Sequence, residues 1–164
     1  MADRGLTAGE MAMARAAFGD RIGYQGVRIV DGPGTSFAAH TAFMRGNPAI
    51  TLGATIYFKL HYSEDFAKPG QAARRFIHEM THVWQYGALG QLGFFTRYGK
   101  ELAEAKFKPN DMYKYEAGKT LFNDAGLEAQ AQMVEDYSSA LWGKNAAKTA
   151  LLAKNLAGSG VYGL

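Results

Sequence analysis

The chain of 164 residues is 48% hydrophobic, 20% charged and 13% aromatic, which favours one folded domain over a disordered chain. Its formal net charge of +3 is spread along the sequence, so the charge pattern does not predict a nucleic-acid partner. The absence of cysteine excludes disulfides, thiolate metal sites and cysteine nucleophiles. The sequence has neither a secretory signal pattern nor an apolar run of bilayer length, so we expect cytoplasmic synthesis without a signal peptide and no membrane span.

The first predicted helix begins in the segment LTAGEM. Thr7 and Glu10 have the spacing of a capping box, in which each side chain bonds to the backbone of the other residue. Leu6 and Met11 are placed as the accompanying hydrophobic staple. We expect this helix to end near Phe18, because a glycine follows.

Two strands are predicted next. Residues 24–30 indicate a short strand, and the glycine-rich segment 31–36 indicates a turn. Residues 49–62 alternate between apolar and polar side chains, which predicts one half-buried strand. Its expected buried face consists of Ile50, Leu52, Ile56, Phe58, Leu60 and Tyr62.

The remainder of the chain is predicted to be helical. Helices are expected over residues 71–86, 94–106, 124–141 and 146–157. The glycines in segment 87–93 predict a break between the first two of them. Residues 158–164 indicate a flexible tail. We therefore expect a single domain over residues 1–164 with its core within about 7–141.

The segment RRFIHEMTHVWQYG (residues 74–87) contains an H-E-x-x-H motif. On a helix, His78 and His82 are one turn apart, so both imidazoles can bind one ion. Catalytic zinc takes three protein ligands plus a water, and imidazole nitrogen suits it. Glu79 points away from such a metal and can act as general base on the metal-bound water. Because both histidines lie opposite the apolar stripe of the helix, a metal site is preferred over two structural histidines.

A third ligand must come from elsewhere in the chain, since no third histidine follows at H-E-x-x-H-x-x-G-x-x-H spacing. The downstream carboxylates are Glu101, Glu104, Asp111, Glu116, Asp124, Glu128, Glu135 and Asp136. Glu128 is preferred because it lies early in a long predicted helix, beside the apolar Leu127. Glu135, on the same face, is too far along a straight helix to bind the same ion. A helical glutamate is usually a solvated surface charge, so these residues alone leave the third ligand open.

The motif HEMTHVWQ, with LEAQAQMVEDY downstream and an alternating strand upstream, resembles the gluzincin-type zincin metallopeptidases. It resembles in particular the small bacterial metallopeptidases with HE(L/M)THVWQ helices that are linked to type VI secretion spike proteins. The resemblance implies an α+β, zincin-like fold, mostly helical, with a small sheet whose edge strand precedes the H-E-x-x-H helix. In such enzymes that edge, here within residues 50–60, pairs with an extended peptide substrate.

The resemblance also implies the roles of individual residues. It assigns the zinc ligands to His78, His82 and Glu128, and the general base to Glu79. Many gluzincins carry an acidic residue four positions after the glutamate ligand, where this chain has Gln132. The acidic side chains of the next turn, at positions 135 and 136, are candidates to replace it.

A zincin also needs a hydrogen-bond donor for the oxyanion of its tetrahedral intermediate. The candidates are Tyr113, Tyr115, Tyr137 and His61, among which Tyr115 and Tyr137 are preferred. For each tyrosine, ordinary packing is the competing interpretation. His61 lies on the polar face of its strand and is expected to be exposed.

The leading hypothesis is therefore a zinc-dependent metallopeptidase acting on a peptide or protein. The resemblance implies an antibacterial effector of a type VI or related secretion system, made in the bacterial cytoplasm and delivered into a target cell envelope. Its implied partners are a secretion spike protein and a cognate immunity protein. Two alternatives are a catalytically silent zincin scaffold that serves as a binding or adaptor module, and a metal-free helical domain whose histidines are coincidental.

Overall fold

The structure is a computed structural model that describes residues 2–164, and it combines a small sheet with a larger helical part. The strands are β1 (Asp3–Gly5), β2 (Arg28–Asp31), β3 (Ala49–Leu52) and β4 (Thr55–Phe58). They form a four-stranded sheet in the order β1-β2-β4-β3, in which β2 and β4 are parallel and the other pairs are antiparallel. The predicted α+β fold, mostly helical with a small sheet, is confirmed.

The predicted strand over residues 49–62 is instead a β-hairpin. The two-residue turn between β3 and β4 contains Gly53, whose φ of 63° is a conformation that glycine adopts without strain. Pairing places Thr51 opposite Ile56, so those two residues share the buried face. Ile50 therefore lies on the opposite face from Ile56, and the predicted single apolar face was wrong for β3. Of the two hairpin strands, β3 lies at an edge of the sheet, because β4 pairs with β2 as well as with β3.

Residues 2–164 also contain five helices. They are α1 (Ala8–Phe18), α2 (Phe37–Met44), α3 (Gln71–Glu104), α4 (Leu127–Trp142) and α5 (Ala146–Leu156), of which α2 and α3 contact the sheet and α5 packs on α4. Short 3₁₀ segments cover Tyr24–Gly26, Pro109–Tyr113, Phe122–Asp124 and Val161–Gly163. The strand predicted at 24–30 thus begins only at Arg28. Helix α2 was not predicted, because its short run of apolar residues lacks a clear helical period; Ser36 caps it by accepting a hydrogen bond from the Ala39 amide at 3.2 Å.

Helix α3 is 34 residues long and changes direction at one residue. Gly90 has φ 72° and ψ 167°, outside the helical region, and helix continues on both sides of it. The predicted break within segment 87–93 is thereby confirmed and narrowed to a single position. Because of this bend, the two halves of α3 run in different directions, and both halves contact the start of α4.

The hydrophobic core lies between the sheet, α1, α3 and α4. Three stacked aromatic rings connect the sheet to α3, with centroid distances of 4.7 Å between Phe58 and Phe66 and 5.3 Å between Phe66 and Phe76. A smaller cluster of Tyr86, Phe94 and Leu127 joins the two halves of α3, on either side of the bend, to the start of α4. None of the helices in residues 2–164 is both long and apolar enough to cross a membrane.

The C-terminal segment 158–164, expected to be flexible, is packed against the rest of the chain. Val161 is fully buried in the main core, which therefore extends beyond the expected limit of residue 141. The hydroxyl of Tyr162 lies 2.6 Å from that of Ser138 on α4, and its ring is tilted by 50° against the Tyr137 ring, with the centroids 5.0 Å apart. The expectation was wrong because Val161 and Tyr162 supply enough apolar surface to hold a glycine-rich segment in place.

The capping box of α1 is confirmed, and its glutamate does more than cap. The Thr7 hydroxyl accepts from the Glu10 amide, and Glu10 Oε2 accepts from the Thr7 amide at 2.8 Å. The buried Glu10 carboxylate also accepts two bonds of 2.8 Å from Arg4 and one of 2.9 Å from the Phe66 amide. One carboxylate therefore joins β1, α1 and the segment before α3.

Substitution Glu10→Gln is expected to lower the free energy of unfolding by about 3–5 kcal/mol, because it leaves the Arg4 guanidinium without its buried counter-charge. Chemical denaturation measures the change. The matched control is Asp20→Asn, which breaks the exposed pair with Arg15 and should cost no more than about 0.5 kcal/mol. Equal losses in the two variants would contradict this account.

Candidate metal centre

Three side chains converge where α3 packs against α4. The Nε2 atoms of His78 and His82 each lie 3.2 Å from Glu128 Oε2. One ligand atom from each residue falls within 4.8 Å of the others, and all three residues are buried. The structure thus brings the predicted ligand set to one point, with an arrangement able to bind a metal ion.

Local structure places each of the three ligands. His78 and His82 are one turn apart on α3, with ring centroids 5.1 Å apart. Glu128 lies in the first turn of α4, where the helix dipole favours a carboxylate. The start of α4 is fixed from α3, since Glu101 Oε2 accepts from the Leu127 amide at 2.8 Å. Arg97 donates to the carbonyl of Ala125 at 2.8 Å, which holds the segment just before α4.

The outer ring nitrogens of both histidines also have partners. His78 Nδ1 lies 3.0 Å from Glu135 Oε2, and His82 Nδ1 lies 2.8 Å from Gln85 Oε1. Arg74 in turn pairs with Glu135 at 3.2 Å. Glu135 therefore bonds the far side of His78 instead of meeting the other ligands, as expected from its position two turns beyond Glu128.

The donor set fits a zinc-type cation. An ionised carboxylate only accepts, so His78 Nδ1 donates its hydrogen to Glu135, and the Nε2 of a neutral ring carries a lone pair. That lone pair faces Glu128 Oε2, another acceptor, at 3.2 Å. Buried acceptors facing one another need a proton or a cation between them. Two imidazole nitrogens and one carboxylate oxygen are a usual protein ligand set for catalytic zinc.

When no cation is bound, protons on the histidines balance the negative charge of the neighbouring carboxylates. Burial lowers the pKa of His78, but the carboxylates of Glu128 and Glu135 outweigh it and raise that pKa to about 9. The pKa of His82 is also raised, because Glu128 outweighs burial. Burial raises the pKa of Glu128, yet the two histidines bring it well below its ordinary value. The site is thus strongly favourable to positive charge.

Glu79 lies beside the three ligands and outside their set. Its carboxylate is buried, and Oε2 accepts a hydrogen bond of 2.8 Å from the hydroxyl of Thr51 on β3. The side chain lines the same cavity as His78, His82 and Glu128. The hydrogen bond from β3 therefore orients the carboxylate, and the role of Glu79 as general base stays a prediction.

A cavity of about 480 Å³ opens over these four residues. One side is formed by α2 and the edge strand β3. The other side is an aromatic wall, which consists of Tyr86, Phe94, Phe95, Tyr98 and Tyr113. The cavity is therefore apolar along its walls and polar at the candidate metal centre, as in most small-molecule and peptide sites.

The two preferred tyrosines lie outside the cavity lining. Tyr115 donates its hydroxyl hydrogen to Asp136 at 2.6 Å, and Tyr137 packs in the main core. Their placement argues against the expected catalytic role for either, since neither reaches the candidate metal centre. His61 is exposed, as expected, and also lies outside the lining.

Tyr113 and Tyr98 are the tyrosines next to the candidate metal centre. The Tyr113 ring lies 5.8 Å from the His78 ring, at an angle of 28°. Burial and the Glu128 carboxylate raise the pKa of both Tyr98 and Tyr113 far above its ordinary value, so both keep a hydrogen to donate. Sequence reasoning missed Tyr98, because the spacing of Phe94 and Tyr98 reads as ordinary helical packing.

Comparisons with known proteins find one that is similar to this chain in both sequence and structure. No family model matches the chain. It is 35% identical over 140 residues to the type VI secretion system spike protein VgrG2b of Pseudomonas aeruginosa strain PAO1, covering 83% of this chain but 13% of that protein. The solved effector domain of Pseudomonas aeruginosa VgrG2b matches with TM-score 0.68 and 28% identity, over 96% of this chain and 83% of that domain. The chain is homologous to the VgrG2b effector domain.

The homology to VgrG2b agrees with the motif resemblance to the type VI spike-linked proteins. It also agrees with the α+β fold, since the match to the VgrG2b effector domain extends over nearly the whole chain. The chain corresponds to the effector portion of VgrG2b and spans only 13% of that spike protein's length.

Purified protein is expected to bind one zinc ion per chain, and His82→Ala should lose it, because two ligands cannot hold the metal tightly. Metal analysis after dialysis measures the zinc content, and chelation should lower the melting temperature of the wild type and of His40→Ala but not that of His82→Ala. His40→Ala is the matched control, since His40 is exposed on α2. Equal zinc content in the wild type and His82→Ala would contradict the site.

Proposed function

We propose that this homologue of the VgrG2b effector domain is a zinc-dependent metallopeptidase. The observation that carries the proposal is the convergence of His78, His82 and Glu128 at one point, with Glu79 beside them and outside the ligand set. A site that only held a structural metal would need no carboxylate at that position. Three ligands also leave room for a water and for substrate.

The chemistry divides between the metal and the chain. A bound zinc ion would polarise the scissile carbonyl and lower the pKa of its water to about 7. Glu79 accepts the proton of the attacking water and passes it to the leaving amine. The hydrogen bond from Thr51 restricts Glu79 to one orientation and leaves its other carboxylate oxygen for this transfer. The phenol groups of Tyr113 and Tyr98 supply hydrogen bonds to the developing oxyanion.

The edge strand β3 suits a peptide substrate. Residues 49–52 line the cavity and pair with β4 on one side only, so their other backbone groups can pair with an extended chain. Backbone pairing of this kind is tolerant of sequence and presents the scissile bond to the cavity floor. Side-chain preference then depends on the cavity walls.

The biological setting follows from the relative. Because the chain is homologous to the effector domain of a type VI secretion spike protein, we infer that it too is an effector delivered into a target cell envelope. A spike protein as carrier and a cognate immunity protein in the producing cell belong to this proposal. Peptide hydrolysis in the envelope would make it an antibacterial toxin.

A catalytically silent binding module is the second candidate function. Two large apolar side chains of the cavity lining are exposed, namely Phe37 (83%) and Phe95 (50%), and exposed apolar patches often contact a partner. A binding module needs no general base, however, and the buried Glu79 would be retained without purpose.

Glu79→Gln is expected to lower kcat for peptide hydrolysis by about 10²–10⁴-fold while the zinc content stays at the wild-type level, because the amide cannot accept the proton. Cleavage of a peptide library, followed by mass spectrometry, measures the rate. Glu104→Gln, an exposed change on α3, is the matched control. A fully active Glu79→Gln variant would contradict the role of Glu79 as general base. A wild-type protein that binds zinc but cleaves no peptide would favour the binding module.

The cavity charge predicts a preference for acidic substrates. Besides Glu79 and Glu128, the charged residues of the lining are Arg45 and Arg75, and in residues 2–164 neither has a carboxylate oxygen within 4.0 Å. A charge-assisted hydrogen bond contributes about 1.5–3 kcal/mol, so Arg75→Gln should raise KM for acidic peptides by about tenfold or more. Neutral peptides and the surface variant Arg15→Gln are the controls. An equal effect on acidic and neutral peptides would contradict a charge contact.

A further inference from the structure

Two buried glutamines connect the back of His82 to the backbone. Gln85 on α3 and Gln130 on α4 are 2% and 5% exposed, so water contributes little to their hydrogen bonds. Gln130 donates to the carbonyl of Phe122 at 2.8 Å. Gln85 donates at 3.0 Å both to the carbonyl of Leu127 and to Oε1 of Gln130.

The backbone carbonyls fix the direction of this chain of bonds. A carbonyl only accepts, so the amide nitrogen of Gln130 must face Phe122 and its oxygen must face Gln85. The amide nitrogen of Gln85 then faces two acceptors, and its oxygen faces His82 Nδ1 at 2.8 Å. Turning the Gln85 amide over would place its oxygen against two other oxygens, which burial makes costly.

The direction of the bonds decides the state of the imidazole. Because Gln85 Oε1 only accepts, His82 Nδ1 must carry a hydrogen, and Nε2 is left as the atom that faces Glu128 at 3.2 Å. We propose that Gln85 and Gln130 form an amide relay that keeps a hydrogen on Nδ1 of His82 and fixes the orientation of the ring, so that Nε2 faces the candidate metal position. Both glutamines act as positioning residues, and the proposal rests on the metal site, not on peptide hydrolysis.

The relay also links two ligands. The carbonyl that receives the Gln85 amide belongs to Leu127, the neighbour of Glu128 in the chain. One amide therefore orients His82 and holds the backbone that carries Glu128. His78 is oriented instead by the carboxylate of Glu135. The relay behind His82 is neutral, so it adds no further negative charge to a centre that already contains buried carboxylates.

The test is zinc affinity, measured by competition with a chromogenic chelator on folded protein. Gln85→Leu removes the acceptor and should weaken zinc binding by about 10–100-fold, the usual effect of losing the partner of a ligating histidine. Gln130→Leu should weaken it in the same direction by less, since Gln85 keeps its bond to Leu127. Gln132→Leu, on α4 but bonded to Asp136, is the matched control and should match the wild type.

Nitrogen NMR of the zinc-loaded protein gives the second readout. In the wild type, His82 should show a zinc-bound Nε2 and a slowly exchanging Nδ1 hydrogen, and Gln85→Leu should lose the slow exchange. Gln85→Met, closer in shape, replaces Gln85→Leu if the latter does not fold. Unchanged zinc affinity in a folded Gln85 variant, even with a lower melting temperature, would overturn the relay. A wild type that binds no zinc would instead overturn the metal site itself.

Discussion

The contact between α3 and α4 is the constraint on which the rest of the structure depends. It buries two imidazole nitrogens and a carboxylate oxygen that face one another, an arrangement that is unfavourable without positive charge between them. Side chains around the centre, Glu135 and Gln85, hold the two rings in place from behind. The hydrogen bond from the Leu127 amide to Glu101 holds the start of α4 against α3, next to the two histidines.

The sheet contributes to the candidate metal centre as well as to the core. Its edge strand β3 supplies Thr51, which orients Glu79 and forms one wall of the cavity. The hairpin turn at Gly53 is what directs Thr51 inward, because a continuous strand would have turned it to the polar face. The alternation of apolar and polar residues over 49–62 did not predict this turn, yet the turn sets the orientation of Glu79, the proposed general base.

The sequence could predict those parts of the centre whose position depends on spacing along the chain. Helical spacing brings His78 and His82 together, and family resemblance added Glu128, which the structure places beside them. The capping box of α1 follows a similarly local rule. Tyr98 and the relay glutamine Gln130 follow no such rule, because their positions depend on how α3 bends and how α4 docks. The tail was misjudged for the same reason, since Val161 is buried only through distant partners.

The bend at Gly90 separates the half of α3 that carries the two histidines from the half that carries part of the aromatic wall. Residues before it carry the histidines, and residues after it carry part of the aromatic wall, including Phe94 and Tyr98. Inserting or deleting one residue just after the bend would rotate that wall by about 100° and leave the histidine pair untouched. Because Arg97 and Glu101 of the second half also hold the start of α4, such a change would reach Glu128 through α4 while His78 and His82 keep their places on the first half.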